Sequence, residues 1–129
     1  EESLGDSDEF ITYLGKVDFQ KISLSYKNAD LFVFASTCEN MPNILVEAMS
    51  AGLPILSSDY GPMPEILKDA GNYMDPTNID SIYNELKILL LSTKKRQTIS
   101  EKAHSLSQEF SWKKTASETF GFIKQVYQH

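Results

Sequence analysis

Two glutamates bracket the start of a predicted helix, and this segment carries the residues best suited to specific chemistry. Glu39 lies in a polar loop that follows an apolar run, and Glu47 comes eight positions later. The helix between them is predicted to begin near Pro42, whose missing N–H costs nothing in a first turn. The unpaired amides of such a turn and the helix dipole favour an anion, most naturally a phosphate.

Two carboxylates beside a phosphate site are electrostatically unfavourable for the phosphate. The arrangement makes sense if the carboxylates accept hydrogen bonds from hydroxyl groups on either side of the phosphates. Glu47 could accept hydrogen bonds from both hydroxyls of a ribose, and Glu39 could orient a sugar at the opposite end. A diphosphate between a ribose and a sugar is a nucleotide sugar. The alternative is that Glu39 is a surface cap and Glu47 a surface helix residue. However, Glu47 lies between Val46 and Ala48 in an apolar helix, where a charge needs either an exposed edge or a bound partner.

The rest of the chain offers no evident nucleophile and no predicted metal site. The hydroxyl residues Ser36, Thr37 and Ser57 lack a base partner, and Cys38 lacks a nearby histidine. No cluster of Cys and His residues accompanies the two histidines of the chain. We therefore expect neither a metal nor a cofactor.

The strands and helices that must position these residues follow from the apolar pattern. Strands are predicted over residues 10–14, 31–35, 53–57 and 72–74, and helices over 19–29, 43–51 and 62–68. Three apolar stripes at helical spacing follow, and either Asn78 or Asp80 could cap the first of them. The stripes are Ile79, Ile82, Leu86 and either Leu89 or Leu90; Ile99, Ala103 and Leu106; and Trp112, Ala116, Phe120, Ile123 and Tyr127.

This alternation of strands and helices predicts an α/β fold with an open parallel sheet. Right-handed crossovers would give a Rossmann-like three-layer sandwich, followed by a helical C-terminal tail. Ligands of such sheets bind beyond the carboxyl ends of the strands. Three loops meet that condition, at residues 15–19, 36–42 and 58–63, and the middle loop carries Glu39.

Length, charge and cysteine content narrow the function classes. A chain of 129 residues fits one domain, and no apolar run approaches the ~20 residues that span a bilayer. The net charge of −6 argues against binding nucleic acid by bulk charge. A single cysteine, Cys38, excludes an intrachain disulfide and fits a reducing, cytoplasmic setting.

The segment around the two glutamates resembles the motif of retaining glycosyltransferases of the GT-B fold, family four, also called glycosyl transferases group 1. That motif is a glutamate, seven residues, a second glutamate, and then Ala-Met-x-x-Gly-x-Pro; here it runs from Glu39 through Glu47 to Pro54. The resemblance continues, in order along the chain, through residues 13–17, 26–36, 57–61, 64–66 and 110–112.

The resemblance implies a role for each matching residue. Glu47 matches the glutamate that holds the ribose hydroxyls, and Glu39, the candidate catalytic residue, matches the one that faces the donor sugar. Lys16 and Val17 match the region beside the base, although a plain strand-to-helix turn is an equal alternative for Lys16. The backbone from residue 41 to residue 45 matches the segment that holds the diphosphate and sugar hydroxyls. The remaining donor-binding candidates are Asn40, Met41, Pro42, Asn43, Ile44 and Leu45.

Two departures from the family pattern bear on function. Asn40 replaces a small residue of many relatives, and asparagine tolerates the left-handed backbone such a turn requires. The basic residues that neutralise the leaving diphosphate in the family have no match here; Lys16, Lys21 and Lys27 lie in the wrong element. The chain thus resembles the last half to two thirds of a C-terminal donor-binding domain, without its first βα units or the N-terminal acceptor domain.

The implied enzyme transfers a sugar from a UDP- or GDP-sugar, with retention and without a metal, to a glycan or lipid-linked saccharide in polysaccharide biosynthesis. The isolated chain is expected to be inactive. The expected location is cytoplasmic, and the full-length protein could also bind peripherally at the inner face of the membrane.

The stripe from Trp112 to Tyr127 is expected to be a packing face, which in isolation would be exposed and favour self-association. The alternative function is a non-catalytic nucleotide-sugar-binding or assembly module.

Two other classes fit the sequence less well. An NDP-sugar 2-epimerase of the same two-domain fold does not usually show the run from Glu39 to Met49. A receiver-like protein would need a phosphorylatable aspartate at a strand end, and Asp59 lies just past a predicted strand. The acidic partners that such an aspartate needs are not recognisable in the sequence.

Overall fold

The computed structural model describes residues 10–127, and these residues form an α/β structure. Its helices are α1 (Phe19–Lys27), α2 (Asn43–Ser50), α3 (Met63–Leu67), α4 (Ile79–Leu91), α5 (Thr93–Ser107) and α6 (Trp112–Tyr127). Its strands are β1 (Phe32–Phe34), β2 (Ile55–Ser58) and β3 (Asn72–Met74).

The three strands form one parallel sheet in the order β1-β2-β3. Phe32 pairs with Ile55, and Leu56 pairs with Asn72, so β2 is the central strand. All four residues of β2 are buried, as expected for a parallel strand with a neighbour on each side and helices on both faces. The predicted open parallel sheet is confirmed.

Consecutive residues of β2 point into two separate apolar cores, one on each face of the sheet. Ile55 belongs to the first core, with Leu45 and Met49 of α2. Leu56 belongs to the second core, with Leu89 of α4. Because neighbouring side chains of a strand alternate between its faces, the two cores establish the predicted three layers: helix, sheet and helix.

The predicted strand over residues 10–14 is wrong. These residues have no regular secondary structure, and Phe10 and Tyr13 are exposed. A strand needs a neighbour for its backbone N–H and C=O groups. Among residues 10–127, β1 pairs only with β2, so nothing there joins residues 10–14 to the sheet.

The helix ends follow the expected capping chemistry, with shifts of one or two residues. Asn78 caps α4, where its Oδ1 accepts a hydrogen bond from the Ser81 N–H at 3.1 Å, so the first of the two predicted caps is correct. Helix α2 ends at Ser50, and Gly52 follows with φ of 74°, the left-handed conformation that favours glycine after a helix. Helix α1 ends at Lys27, two residues before the predicted end.

Helix α6 forms where the third apolar stripe predicts it, but none of its residues is buried. Trp112, Phe120, Ile123 and Tyr127 are all exposed. The predicted packing face is therefore not buried by any other part of residues 10–127. None of the helices in that range combines the length and apolar character needed to cross a membrane.

Candidate functional site

Helix α2 begins at the carboxyl end of the sheet, after the loop that follows β1. Pro42 is its N-cap residue rather than part of its first turn, and it offers no side-chain hydrogen bond to the helix. Its carbonyl accepts the Leu45 N–H at 3.0 Å, so that amide is already engaged. The N–H groups of Asn43 and Ile44 precede it, in the first turn, where amides lack intrahelical acceptors. The start of α2 can thus donate to an anion through two amides.

Glu39 is held in place by a chain of two hydrogen bonds. The Ser36 hydroxyl donates to Glu39 Oε1 at 2.8 Å, and the Ser36 carbonyl accepts from the Ser58 hydroxyl at 2.7 Å. Ser58 is fully buried at the end of β2, and Glu39 is half-buried. The carboxylate is therefore fixed through the loop to the central strand, and its Oε2 accepts no hydrogen bond from the residues described.

The loop that carries Glu39 lies against the loop that follows β2. Gly61 has a φ of 55°, and a Cβ added to it would lie 4.0 Å from the Glu39 carbonyl oxygen. Two of the three loops predicted at the carboxyl edge of the sheet are thus neighbours.

Glu47 is exposed on the second turn of α2, but its carboxylate is not free in solvent. Glu47 Oε2 accepts a hydrogen bond from the Tyr26 hydroxyl at 3.1 Å, and the same hydroxyl lies 3.5 Å from the Ile44 carbonyl oxygen. Burial of the ring, and then the hydrogen bond and charge of Glu47, raise the pKa of Tyr26 to about 12. Tyr26 is thus a neutral donor at physiological pH.

Tyr26 lines a cavity of about 320 Å³ that reaches the predicted base region, whereas Glu47 does not line it. Val17 and Ile44, two of the predicted donor-binding residues, line it together with Tyr26. Its full lining is Leu14, Gly15, Val17, Ile22, Ser25, Tyr26 and Ile44. The structure therefore places the loop around Gly15 beside the start of α2.

Other predicted residues lie in different surroundings. Lys16 does not line that cavity but a second one of about 560 Å³ along α1, with Asp18 and Lys21. Met41 and Asn43 line a third cavity of about 370 Å³, together with Trp112. Asn40 is exposed, and the Leu45 side chain is fully buried in the first core. The Leu45 N–H is also engaged, with the Pro42 carbonyl.

No metal cluster stands out among the described residues of this region. Between residues 10 and 127, no group of three or more His, Cys, Asp or Glu residues could hold a metal ion. The Ser57 Oγ is buried without a hydrogen-bond partner in the same range.

The sequence profile of the family described as glycosyl transferases group 1 matches residues 4–106 of the chain. The chain belongs to this family. The match covers the sheet, the two glutamates and helices α1 to α4, and it ends within α5, before α6.

Individual glycosyltransferases of known sequence or structure agree with this assignment. The O-antigen chain mannosyltransferase B of Escherichia coli is 29% identical over 120 residues, which cover 93% of this chain and 32% of that protein. The structure of sucrose-phosphate synthase from Thermosynechococcus elongatus superposes with a TM-score of 0.80 at 21% identity, over 91% of this chain and 30% of that one.

A solved C-terminal domain of a glycosyl transferase group 1 family protein from Francisella tularensis matches with a TM-score of 0.65 at 25% identity. That match covers 77% of this chain and 51% of the other. The predicted GT-B glycosyltransferase family and the predicted fold are confirmed. The chain spans about a third of the length of the mannosyltransferase, so its sequence corresponds to part of such a protein.

Sequence reasoning missed the residues that hold the two glutamates. Ser58 and Ser36 fix Glu39, and Tyr26 fixes Glu47. The only available signal was weak: Ser36 follows the predicted strand over residues 31–35, and Tyr26 lies within the predicted helix over residues 19–29. The contact between Tyr26 and Glu47 joins residues 21 positions apart, which periodicity does not reveal.

Proposed function

We propose that this glycosyl transferases group 1 chain belongs to the donor-binding domain of a retaining glycosyltransferase. It would bind the nucleoside diphosphate of a UDP- or GDP-sugar at the start of α2. One observation carries the proposal: Glu39 lies just before the amides of this helix start and Glu47 just after them, and each carboxylate is fixed by a hydroxyl while one of its oxygens stays open.

The diphosphate would lie against the first-turn amides of α2. The N–H groups of Asn43 and Ile44 are oriented by the helix before any ligand arrives, so no reorganisation is needed as charge builds on the leaving group. The fixed start of α2, between β1 and the loop after β2, supports this role.

The ribose and base would lie on the α1 side of this point. Glu47 would accept the ribose hydroxyls through the oxygen that Tyr26 leaves open, and the base would enter the cavity lined by Val17 and Ile44. A carboxylate with one oxygen occupied still has lone pairs for both hydroxyls of a cis-diol.

The donor sugar would lie on the Glu39 side. The Ser36 hydroxyl occupies Oε1 of Glu39, which leaves Oε2 for the sugar. Glu39 is thus the candidate catalytic residue. The Ser36 hydroxyl is engaged in holding Glu39. We propose that leaving-group stabilisation, with an oxocarbenium-like transition state, dominates the reaction.

Transfer itself would require protein outside these 129 residues. The chain spans about a third of the length of the mannosyltransferase, and we propose that the first βα units and the acceptor domain of the whole enzyme come from residues outside it. We expect no release of UDP or GDP above background when the chain alone is incubated with UDP-glucose or GDP-mannose. Turnover by the isolated chain would contradict the proposal that transfer requires protein outside these residues. A non-catalytic module would bind the same donor but transfer nothing as the full-length protein.

Calorimetric titration with UDP and GDP tests the binding proposal. Glu47→Ala should weaken the affinity about 10- to 100-fold, the range of hydrogen bonds to a charged group. Glu118→Ala is the matched control, because it removes the same charge from the exposed helix α6. Equal binding by the native chain and Glu47→Ala would exclude Glu47 from the site. Failure of the native chain to bind either nucleotide would contradict the proposal.

A further inference from the structure

Tyr26 stands out because it contacts a proposed binding residue without being one. Its ring packs edge-on against Phe32 of β1, with 6.0 Å between the ring centroids and 65° between the planes. It also packs against the first apolar core. The ring is therefore anchored to the sheet, and its position does not depend on the hydroxyl.

The hydroxyl has one proton to donate, and the geometry assigns it to Glu47. The distance to Glu47 Oε2 is 3.1 Å, whereas the distance to the Ile44 carbonyl oxygen is 3.5 Å, at the outer limit of a hydrogen bond. A charged acceptor also makes the stronger bond. Because its pKa is raised to about 12, Tyr26 keeps this proton across the physiological range.

An exposed glutamate samples many rotamers, and fixing one costs up to ~2 kcal/mol of side-chain entropy. The Tyr26 hydroxyl restricts Glu47 before ligand binds, and it occupies one carboxylate oxygen only. The other oxygen stays available for a cis-diol. Preorganisation of this kind raises affinity by removing the ordering cost from the binding step.

We propose that Tyr26 is a positioning residue that makes Glu47 selective for ligands with both ribose hydroxyls. The inference rests on the proposed function, since it takes the Glu47 carboxylate as the ribose acceptor. It adds a residue on α1 that contacts the carboxylate rather than the ligand. Loss of the hydroxyl should therefore lower selectivity for the diol more than it lowers binding of the rest of the nucleotide.

The test compares two ligands on four proteins. UDP or GDP, whichever binds the native chain more tightly, is titrated calorimetrically beside its 2′,3′-dideoxy analogue. The affinity ratio of the two ligands measures recognition of the hydroxyls. The proteins are the native chain, Tyr26→Phe, Glu47→Ala and Tyr73→Phe. The last variant is the matched control, because the Tyr73 hydroxyl donates to the Lys68 carbonyl at 2.6 Å, in a contact that includes neither glutamate.

Tyr26→Phe should lower the affinity ratio about 3- to 10-fold, the range of one net hydrogen bond, with little change for the dideoxy ligand. Tyr73→Phe should leave the ratio unchanged. Equal weakening of both ligands by Tyr26→Phe would show a structural role only and overturn the inference.

The remaining outcomes separate this inference from the proposed function. If Glu47→Ala lowers the affinity ratio while Tyr26→Phe leaves it at the native value, the role of Tyr26 is overturned and the ribose role of Glu47 stands. If Glu47→Ala keeps the native ratio, the ribose role of Glu47 fails, and the inference fails with it.

Discussion

Helices α2 and α6 have similar amphipathic sequences but opposite surroundings. Three of the eight residues of α2 are buried, whereas none of the sixteen residues of α6 is. Helix α2 lies between β1 and β2 along the chain, so its apolar face must return to the sheet. Helix α6 follows α5, and no strand after it draws it onto the sheet within residues 10–127. The comparison shows that periodicity predicts an apolar face, whereas connectivity decides whether the chain covers that face.

The two helices should differ most in how much stability is lost when one large apolar side chain is replaced by alanine. Met49→Ala in α2 removes a side chain with no exposed surface and should cost about 2–5 kcal/mol of unfolding free energy. Ile123→Ala in α6, where the side chain is 53% exposed, should cost about 0.5 kcal/mol or less. Urea denaturation measures both. Comparable losses would mean that α6 packs against the chain in solution and would break the comparison.

Substitution of the two serines at the end of β2 tests which hydroxyl holds the loop before α2. Ser58→Ala removes the hydrogen bond to the Ser36 carbonyl and should cost about 1 kcal/mol of unfolding free energy. Ser57→Ala removes a buried hydroxyl without a partner in the described chain and should leave stability unchanged or raise it by about 1 kcal/mol. Urea denaturation under identical conditions measures the unfolding free energy of both variants. Because Ser57 and Ser58 are both fully buried, any difference reflects the hydrogen bond. Equal destabilisation by both would contradict the assigned hydrogen bonds.

The contact between α1 and α2 should make stability depend on alkaline pH. The pKa of Tyr26 is about 12 in the folded chain, above the ordinary 10.0, because of burial first and Glu47 second. The folded form therefore keeps a proton that the unfolded form loses, and the unfolding free energy falls as pH rises from about 10 to 12. Tyr73 has the same shift, from burial and then the charge of Asp69, and contributes in the same direction.

Denaturation curves between pH 9 and pH 12 would measure this dependence. Tyr26→Phe should flatten it in part, and Tyr26→Phe combined with Tyr73→Phe should flatten it further. A Tyr26→Phe curve parallel to that of the native chain would show that the hydroxyl does not hold its proton as the Glu47 contact requires.

Removal of α6 should have the smallest effect on stability and a clear effect on association. Truncation after Ser111 removes a helix with no buried residue, so the unfolding free energy should change by less than about 0.5 kcal/mol. Because the exposed face of α6 is apolar, we expect the native chain to self-associate with concentration, and the truncated chain to remain monomeric, in sedimentation experiments. Identical sedimentation of both chains would exclude α6 as the contact.

The sequence was sufficient for features that local pattern determines. The continuous apolar run before Ser36 predicts β1, and the glycine at position 52 marks the end of α2 within one residue. Residues 10–14 show the limit, because aromatic and β-branched composition favours a strand but cannot supply its neighbour. The bond between Tyr26 and Glu47 was equally hidden, since it depends on how two helices pack on the same face of the sheet.

The central claim is that a nucleoside diphosphate binds at the start of α2, and amide NMR of the isotope-labelled chain tests it most directly. Addition of UDP or GDP should shift the amide signals of Asn43, Ile44 and Tyr26, and leave those of Phe120 and Ile123 in α6 unchanged. The account is contradicted if the signals at the start of α2 stay in place at saturating nucleotide, or if the largest shifts lie in α6.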